Sequence, residues 1–344
     1  MNRTALALAL GLITLPLTAA RPSITHAQLT TSASSGDLGA QIRGAATPWV
    51  AYAVPALNGD VVSCCYNSGR TCTTYLEGGG GNFSVSRGER EDGPVSAAGE
   101  LYVFYRQAGR EIERVRIFSS NCPIDARNAS ITWLEGVSGK QSVALLASLT
   151  NADEGRVARN ALDALALHGD DSATDQLEAV LRSNRSTETR GHAAFWLGHS
   201  RGARGYQIVK RLANDANEPV KLREKAVFAM SQSGEPSHVD DIIALAHRDP
   251  SSKVRQQALF WLSQAAGKKA AAALRDAADN DPDEDVKKKA VFGISQLPDD
   301  QSIPMLAQLM RSHKSSAVRK QAAFWLGQKN DPRALQAIEE LLRK

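Results

Sequence analysis

The chain has 344 residues, enough for one or two domains, and 42% of them are hydrophobic, which excludes a disordered chain. Its formal charge of +4 is too mild for a protein whose main ligand is nucleic acid. Past the first residues no stretch is long and apolar enough to span a bilayer, so no membrane insertion of the mature chain is expected.

Residues 1–27 read as a cleaved secretory signal. "MNR" is a short basic start, and "ALALALGLITLPL" (5–17) is an apolar run with a Pro near its end. Thr25-His26-Ala27 offers a cleavage site, with Thr18-Ala19-Ala20 as a second choice. The mature chain is expected to begin near Gln28 and to be exported, to a periplasm or the extracellular space. Residues 28–46, small and polar, read as a linker.

Residues 47–137 read as a small β-rich domain. The segments "WVAYAVPA" (49–56), "VVSCCY" (61–66), "CTTYLE" (72–77), "ELYVFYR" (100–106), "IERVRIF" (112–118) and "ITWLEGV" (131–137) are short, β-branched and aromatic. "RQAGRE" (106–111) is a hairpin turn by composition. "EGGGGNFS" (77–84) lacks the Gly-Lys-Ser/Thr of a phosphate loop and reads as a plain loop. All four cysteines lie in this region, an even count that suits two disulfides in an oxidising compartment. A hairpin turn at Ser68-Gly69 sets Cys65 opposite Cys72 and leaves Cys64 for Cys122. A four-cysteine metal site is the rival, but adjacent ligands fit one tetrahedral ion poorly and there is no Cys-x-x-Cys.

From residue 138 the pattern turns helical and repeats. Ala161, Ala193, Ala226, Ala258, Ala290 and Ala322 are equivalent positions 32 or 33 residues apart. A second apolar set at spacing three follows each of the last four, for example Val239, Ile242 and Leu245. Each unit is then two helices joined by a turn, and about six units stack over 138–344 as a solenoid. Asp249-Pro250 and Asp281-Pro282 read as a capping acid and a first-turn proline for the next helix.

In "DPSSKVRQQALFWLSQAAGKKAAAALRDA" (249–277) and "SSAVRKQAAFWLGQKNDPRALQAIEELL" (315–342), Val-Arg, Ala, Leu with Gly or Ser, and an Asp-Pro turn recur. These units resemble short HEAT-type repeats, the variety also found in phycobilin lyases, over about residues 156–344. The fold class expected is therefore a C-terminal α-solenoid of HEAT-like helix pairs, preceded by a separate, small, disulfide-bearing β-rich domain. The resemblance implies an interaction scaffold, or else an enzyme or enzyme accessory of the HEAT-like lyase or hydroxylase type. Deoxyhypusine hydroxylases, the oxidoreductases of that group, hold two irons through His-Glu pairs, and this chain has no His-Glu pair.

Two aromatic positions stand out. With each alanine set at zero on its helix, the residue three later falls at about −60°, toward the core. It alternates as Trp196, Ala229, Trp261, Gly293 and Trp325, a pattern that fills the space between stacked units. The residue two later falls at about 200°, away from the core. It is Phe195, Phe228, Phe260, Phe292 and Phe324 in five consecutive units. On the same face stand His199, Gln232, Gln264, Gln296 and Gln328, with Lys225 and Lys289 beside them. The rings are either wedges between units, with the amides tied to turn backbone, or a stripe that holds a protein or peptide partner. The first unit interrupts the column with Asp163, as a terminal cap would.

Arg190, Arg223, Arg255, Lys287 and Arg319, three before the alanines, suit polar ladders between units. Lys287-Lys288-Lys289 and Lys268-Lys269 read as solvated faces, with a basic patch for an acidic partner as the alternative. His192 and His199 read as surface histidines, and no His-Glu-x-x-His or Walker sequence is present. No catalytic residue, metal or cofactor is assigned.

Overall fold

The computed structural model describes residues 24–57, 61–63, 74–77, 84–86, 99–120, 122–152, 154–265 and 267–343. In chain order it begins with β1 (Ile24–Ala33), α1 (Leu38–Arg43), β2 (Trp49–Pro55), β3 (Val61–Ser63), β4 (Thr74–Tyr75) and β5 (Ser84–Ser86). The long strands β6 (Glu100–Ala108), β7 (Glu111–Ser119) and β8 (Ile124–Glu135) follow. The main sheet runs β1-β8-β2-β6-β7, with β4 added on β8, while β3 and β5 pair separately. β8 lies parallel to β1 and β2, and β2, β6 and β7 are antiparallel. The β6–β7 hairpin turns on Gly109 and Arg110, both at positive φ, as a two-residue loop requires and as 106–111 predicts.

The stretch expected to be a linker is ordered. Residues 28–33 belong to β1, paired with Ser130–Glu135 of β8, and 38–43 form α1, capped by Asp37. Its small polar composition reflects an edge strand with little to bury: beyond Ala27, β1 is exposed along its length. β1 begins ahead of Ala27, so a mature chain starting at Gln28 would lose its first residues.

Alternate residues of the central strands face opposite ways. Val50, Tyr52 and Val54 of β2 pack with α1 and the helices that follow. Trp49 and Ala51 join Phe104, Phe118 and Trp133 in a second, aromatic core. Cys122 is buried there, its Sγ 3.3 Å from Ser119 Oγ. Cys64, Cys65, Cys72, the turn at Ser68-Gly69 and most of the glycine loop lie outside the described residues.

After α2 (Gly139–Ala152) come six helix pairs. They are α3 (Arg156–Leu167) with α4 (Ser172–Arg182), α5 (Thr187–Ser200) with α6 (Gly202–Asn214), and α7 (Val220–Ser231) with α8 (His238–Arg248). Then follow α9 (Ser252–Gln264) with α10 (Lys268–Asn280), α11 (Glu284–Ser295) with α12 (Asp299–Ser312), and α13 (Ser316–Gly327) with α14 (Pro332–Leu342). All six aligned alanines are 0% exposed, so the repeat register read from the sequence is the packing register. First helices pack on first helices along the array, while second helices meet less closely, which curves the stack with the first helices inside.

The sheet and the solenoid share one hydrophobic core rather than standing as separate bodies. The Tyr52 hydroxyl lies 2.7 Å from that of Tyr105 and 2.9 Å from Ser142 Oγ on α2. The Asn160 amide of α3 donates to the Val115 carbonyl of β7, and Gly169 N–H donates to the Pro55 carbonyl. His168, at the end of α3, is wholly buried at this junction, and burial pushes its pKa down to about 4.

Three of the bases three before the alanines, Arg190, Arg223 and Arg255, tie units together. Arg255 is 7% exposed; it donates twice to the Asp281 carboxylate, at 2.8 and 3.0 Å, and once to the Asp249 carbonyl at 2.9 Å. Arg223 does the same work between the Ala213 carbonyl and Asp249. Asp249 and Asp281 are thus not the expected helix N-caps. Each ends the helix before it, holds the arginine, and accepts from the backbone N–H two residues on, at Ser251 and Asp283. The proline after each aspartate lies in the turn, ahead of the true caps Ser251 and Asp283.

Candidate functional site

The phenylalanine column is real, and it is continuous. Phe195 and Phe228 stack across units with ring centres 5.6 Å apart and planes 15° apart. Phe228 meets Trp261 at 4.8 Å, and Trp261 meets Phe260 edge-on at 5.0 Å. Lys289 Nζ sits 4.8 Å from the centres of both Phe260 and Phe292, a cation shared by two rings. Phe292 then meets Trp325 at 5.2 Å, and Trp325 meets Phe324 at 5.0 Å. One aromatic row therefore runs along the inner helices from α5 to α13. Phe195, Phe228, Phe260 and Phe292 are half-buried, and Phe324 is 55% exposed. The rings wedge between units along one edge and leave another open, so the wedge and stripe readings describe different parts of the same ring.

The amides do not cap turn backbone. Gln232, Gln264 and Gln296 each donate through Nε2 to the hydroxyl of the preceding serine, at 3.0–3.2 Å. Those serines in turn donate to the Phe228, Phe260 and Phe292 carbonyls. This local relay fixes the amides at the ends of the inner helices. Gln264, Gln296 and Gln328 are exposed. Between α7, α8 and α9 a groove of about 250 Å³ is lined by Gln232, Val239, Trp261 and Gln264, among others. Lys225 is engaged elsewhere, 2.9 Å from Glu188 on α5. Burial against the two rings holds the Lys289 ammonium below its ordinary pKa.

Two of the three tryptophan assignments need correction by degree. Trp196 is in the core at 4% exposure, but Trp261 and Trp325 are only half-buried and belong to the row. At about −60° the side chain lies at the edge of the buried arc, and what it meets on the previous unit decides its fate. Trp196 meets Asp163, to which its indole N–H donates at 2.8 Å. His192 Nε2 lies 2.9 Å from the same carboxylate. Trp261 and Trp325 meet Phe228 and Phe292 in that place, and among the described residues their indole nitrogens find no acceptor. The clue was available: Asp163 is the one polar residue at the phenylalanine position. The small members of the alternation, Ala229 and Gly293, are buried as expected.

Other candidates do not assemble into a site. Gly198-His199-Ser200-Arg201-Gly202 fits the Gly-x-Ser-x-Gly pattern of a nucleophile elbow, which corrects the expectation that the chain has no such motif. Here it joins two helices instead of following a strand, and Ser200 is 7% exposed. Among the described residues no three His, Cys, Asp or Glu side chains are grouped as metal ligands would be. Among the same residues no helix is long and apolar enough to cross a membrane.

Residues 207–295 and 271–344 match the HEAT repeat family. No curated protein matches the chain. Among solved structures, human deoxyhypusine hydroxylase in complex with glycerol is 16% identical with a TM-score of 0.31, covering 59% of this chain and 90% of that one. The complex of CpcE and CpcF of phycocyanin lyase from Nostoc is 20% identical with a TM-score of 0.34, covering 45% of this chain and 99% of that one. The S. pombe condensin Cnd3–Cnd2 subcomplex is 17% identical with a TM-score of 0.35, covering 60% of this chain and 33% of that one. At TM-scores below 0.5 these likenesses imply nothing about function. The family match covers residues 207–344, and six helix pairs stack in one register from α3 to α14, so the C-terminal part of the chain is a HEAT-type helical solenoid.

Proposed function

We propose that the chain is an exported scaffold that holds a protein or peptide partner along the inner face of its solenoid and performs no chemistry of its own. The observation that carries this reading is the aromatic row itself. Large rings cost a soluble protein solubility wherever they stay open, and a continuous part-open row flanked by fixed amides is how interfaces are built. The groove beside Trp261 offers a recess for one partner side chain, with Gln232 and Gln264 at its rim to bond partner backbone. Export follows from the signal-like first residues. In that compartment we expect Cys65–Cys72 and Cys64–Cys122 bridges, and the buried position of Cys122 suits a structural bond.

A photo-crosslinking residue placed at Gln264 or Gln296, in the native host, tests the reading. Both sites should yield a covalent adduct with one and the same polypeptide. The same group at Ala272, exposed on α10 of the outer layer, should not. Equal labelling from the two layers, or none from the inner one, contradicts the proposal.

A further inference from the structure

The last four helix pairs of the solenoid separate charge between the two layers. The inner helices α7, α9, α11 and α13 carry ten Lys and Arg and three Asp and Glu. The outer helices α8, α10, α12 and α14 carry six and eight. Part of the inner excess is spent inside the fold, since Arg223 and Arg255 are buried against aspartates. Lys225 and Lys288 also have partners, Glu188 and Asp285. Among the described residues Lys221, Lys253, Lys289 and Lys320 have no carboxylate within 4.0 Å. By contrast Lys269, on the outer layer, is paired with Asp240.

The placement of those four lysines matters more than their number. They stand five, two or one residue before the aligned alanines, between about 160° and 260° around the helix, on the arc that holds the phenylalanines. The separation along each helix is about 4–11 Å at 1.5 Å per residue. A lane of ammonium groups without carboxylate partners therefore runs beside the aromatic row, one per helix from α7 to α13, with Lys289 seated over two of the rings. Among the described residues on the same arc, Glu188 and Asp285 are paired and Glu224 has no cation within 4.0 Å.

Resting on the reading of the inner face as a partner site, we propose that its occupant is an acidic polypeptide segment with apolar anchors. Its carboxylates lie along the Lys221, Lys253, Lys289 and Lys320 lane, and its large apolar side chains lie on the aromatic row. Charge complementarity selects the sign of the partner. The density of the lane selects polypeptide over nucleic acid. One such lysine per helix on this arc, with helices about 8–10 Å apart, is sparser than the phosphates of a nucleic-acid strand. The fixed amides at the helix ends suit peptide backbone, which presents both a donor and an acceptor.

The test uses the full mature chain and labelled probes in fluorescence anisotropy. The probes are a peptide of three Gly-Glu-Phe-Ser-Glu-Leu repeats, its counterparts with Gln or Lys for Glu, and oligothymidine. The acidic peptide should bind, and should weaken about tenfold or more between low salt and roughly 0.5 M salt, where screening acts within a few ångströms. A Lys253→Glu, Lys320→Glu variant should weaken it about tenfold with unchanged melting, because both side chains are exposed. Lys268→Glu on the outer layer should leave binding as it is. Equal binding of the Gln peptide overturns the acidic chemistry and leaves the peptide-binding face standing. Tighter binding of oligothymidine overturns it in favour of nucleic acid. A basic or neutral contact segment in the Gln264 crosslink also overturns it. Absence of that crosslink defeats the underlying reading instead.

Discussion

Removing Arg255 should unlock one interface of the array, and the cost can be worked from its bonds. Its guanidinium is 9% exposed and the Asp281 carboxylate 4%. It makes two charge-assisted bonds to that carboxylate and one to the Asp249 carbonyl, and these bonds hold its pKa above the ordinary value. Arg255→Ala leaves the buried carboxylate with a single N–H, from Asp283. Breaking one side of a buried pair costs about 3–5 kcal/mol. At about 2–4 °C per kcal/mol for an array of this size, the melting midpoint should fall by roughly 6–20 °C. Asp281→Ala should cost a similar amount, and the double variant much less than their sum. Thermal unfolding followed by circular dichroism reads all three. A loss under about 1 kcal/mol for Arg255→Ala, or strictly additive losses, would refute the view that this pair joins the units.

Gly198→Ala should destabilise by about 1–3 kcal/mol or more, because its Cβ would lie 2.6 Å from the Ala229 carbonyl oxygen where α5 crosses α7; an unchanged urea midpoint contradicts that close approach. His168 is neutral in the fold down to about pH 4 but charges near 6.5 when unfolded. Its folded pKa is depressed, so the unfolded chain binds the extra proton: stability should fall as pH drops from about 6.5 to 4, by up to about 3 kcal/mol, and then level off. A His168→Gln variant should flatten that part of the pH–stability curve, and an identical curve would exclude His168 as its source. If the chain is exported, N-terminal sequencing should find a start ahead of Ile24, since β1 begins there; a start at Gln28 would show that the strand tolerates the loss.

The solenoid was legible because its signal is repeated. An alanine at each helix crossing recurs six times, and each copy checks the others. The arginine ladder was legible for the same reason, though its acceptor was not: Asp249 and Asp281 read as caps because Asp-Pro opens helices elsewhere. Only the fold shows that the carboxylate turns back to an arginine on the first helix of the pair it ends. The β1 strand was missed because an exposed edge strand needs no apolar alternation, and "QLTTSASS" is as good a tether as a strand by composition. The aromatic row was half legible. Its phenylalanines follow from spacing, but Trp261 and Trp325 were assigned to the core by an angle that places them at its border. Which side of that border a ring takes depends on the neighbour it meets, Asp163 in one unit and a phenylalanine in two others. The lysine lane required the layers to be told apart, which the sequence order of inner and outer helices conceals.

The inner aromatic row as the partner site is tested most directly by a Phe228→Ser, Phe260→Ser, Phe292→Ser triple variant. Partner binding, far-ultraviolet circular dichroism and the melting curve are measured together on the same sample. The half-buried rings should lower the midpoint, since even partial burial contributes about 1–3 kcal/mol per ring. The account predicts that helical content and cooperative unfolding persist while the Gln264 crosslink to the partner is lost. A triple variant that keeps the crosslink, or one that unfolds outright, would contradict it.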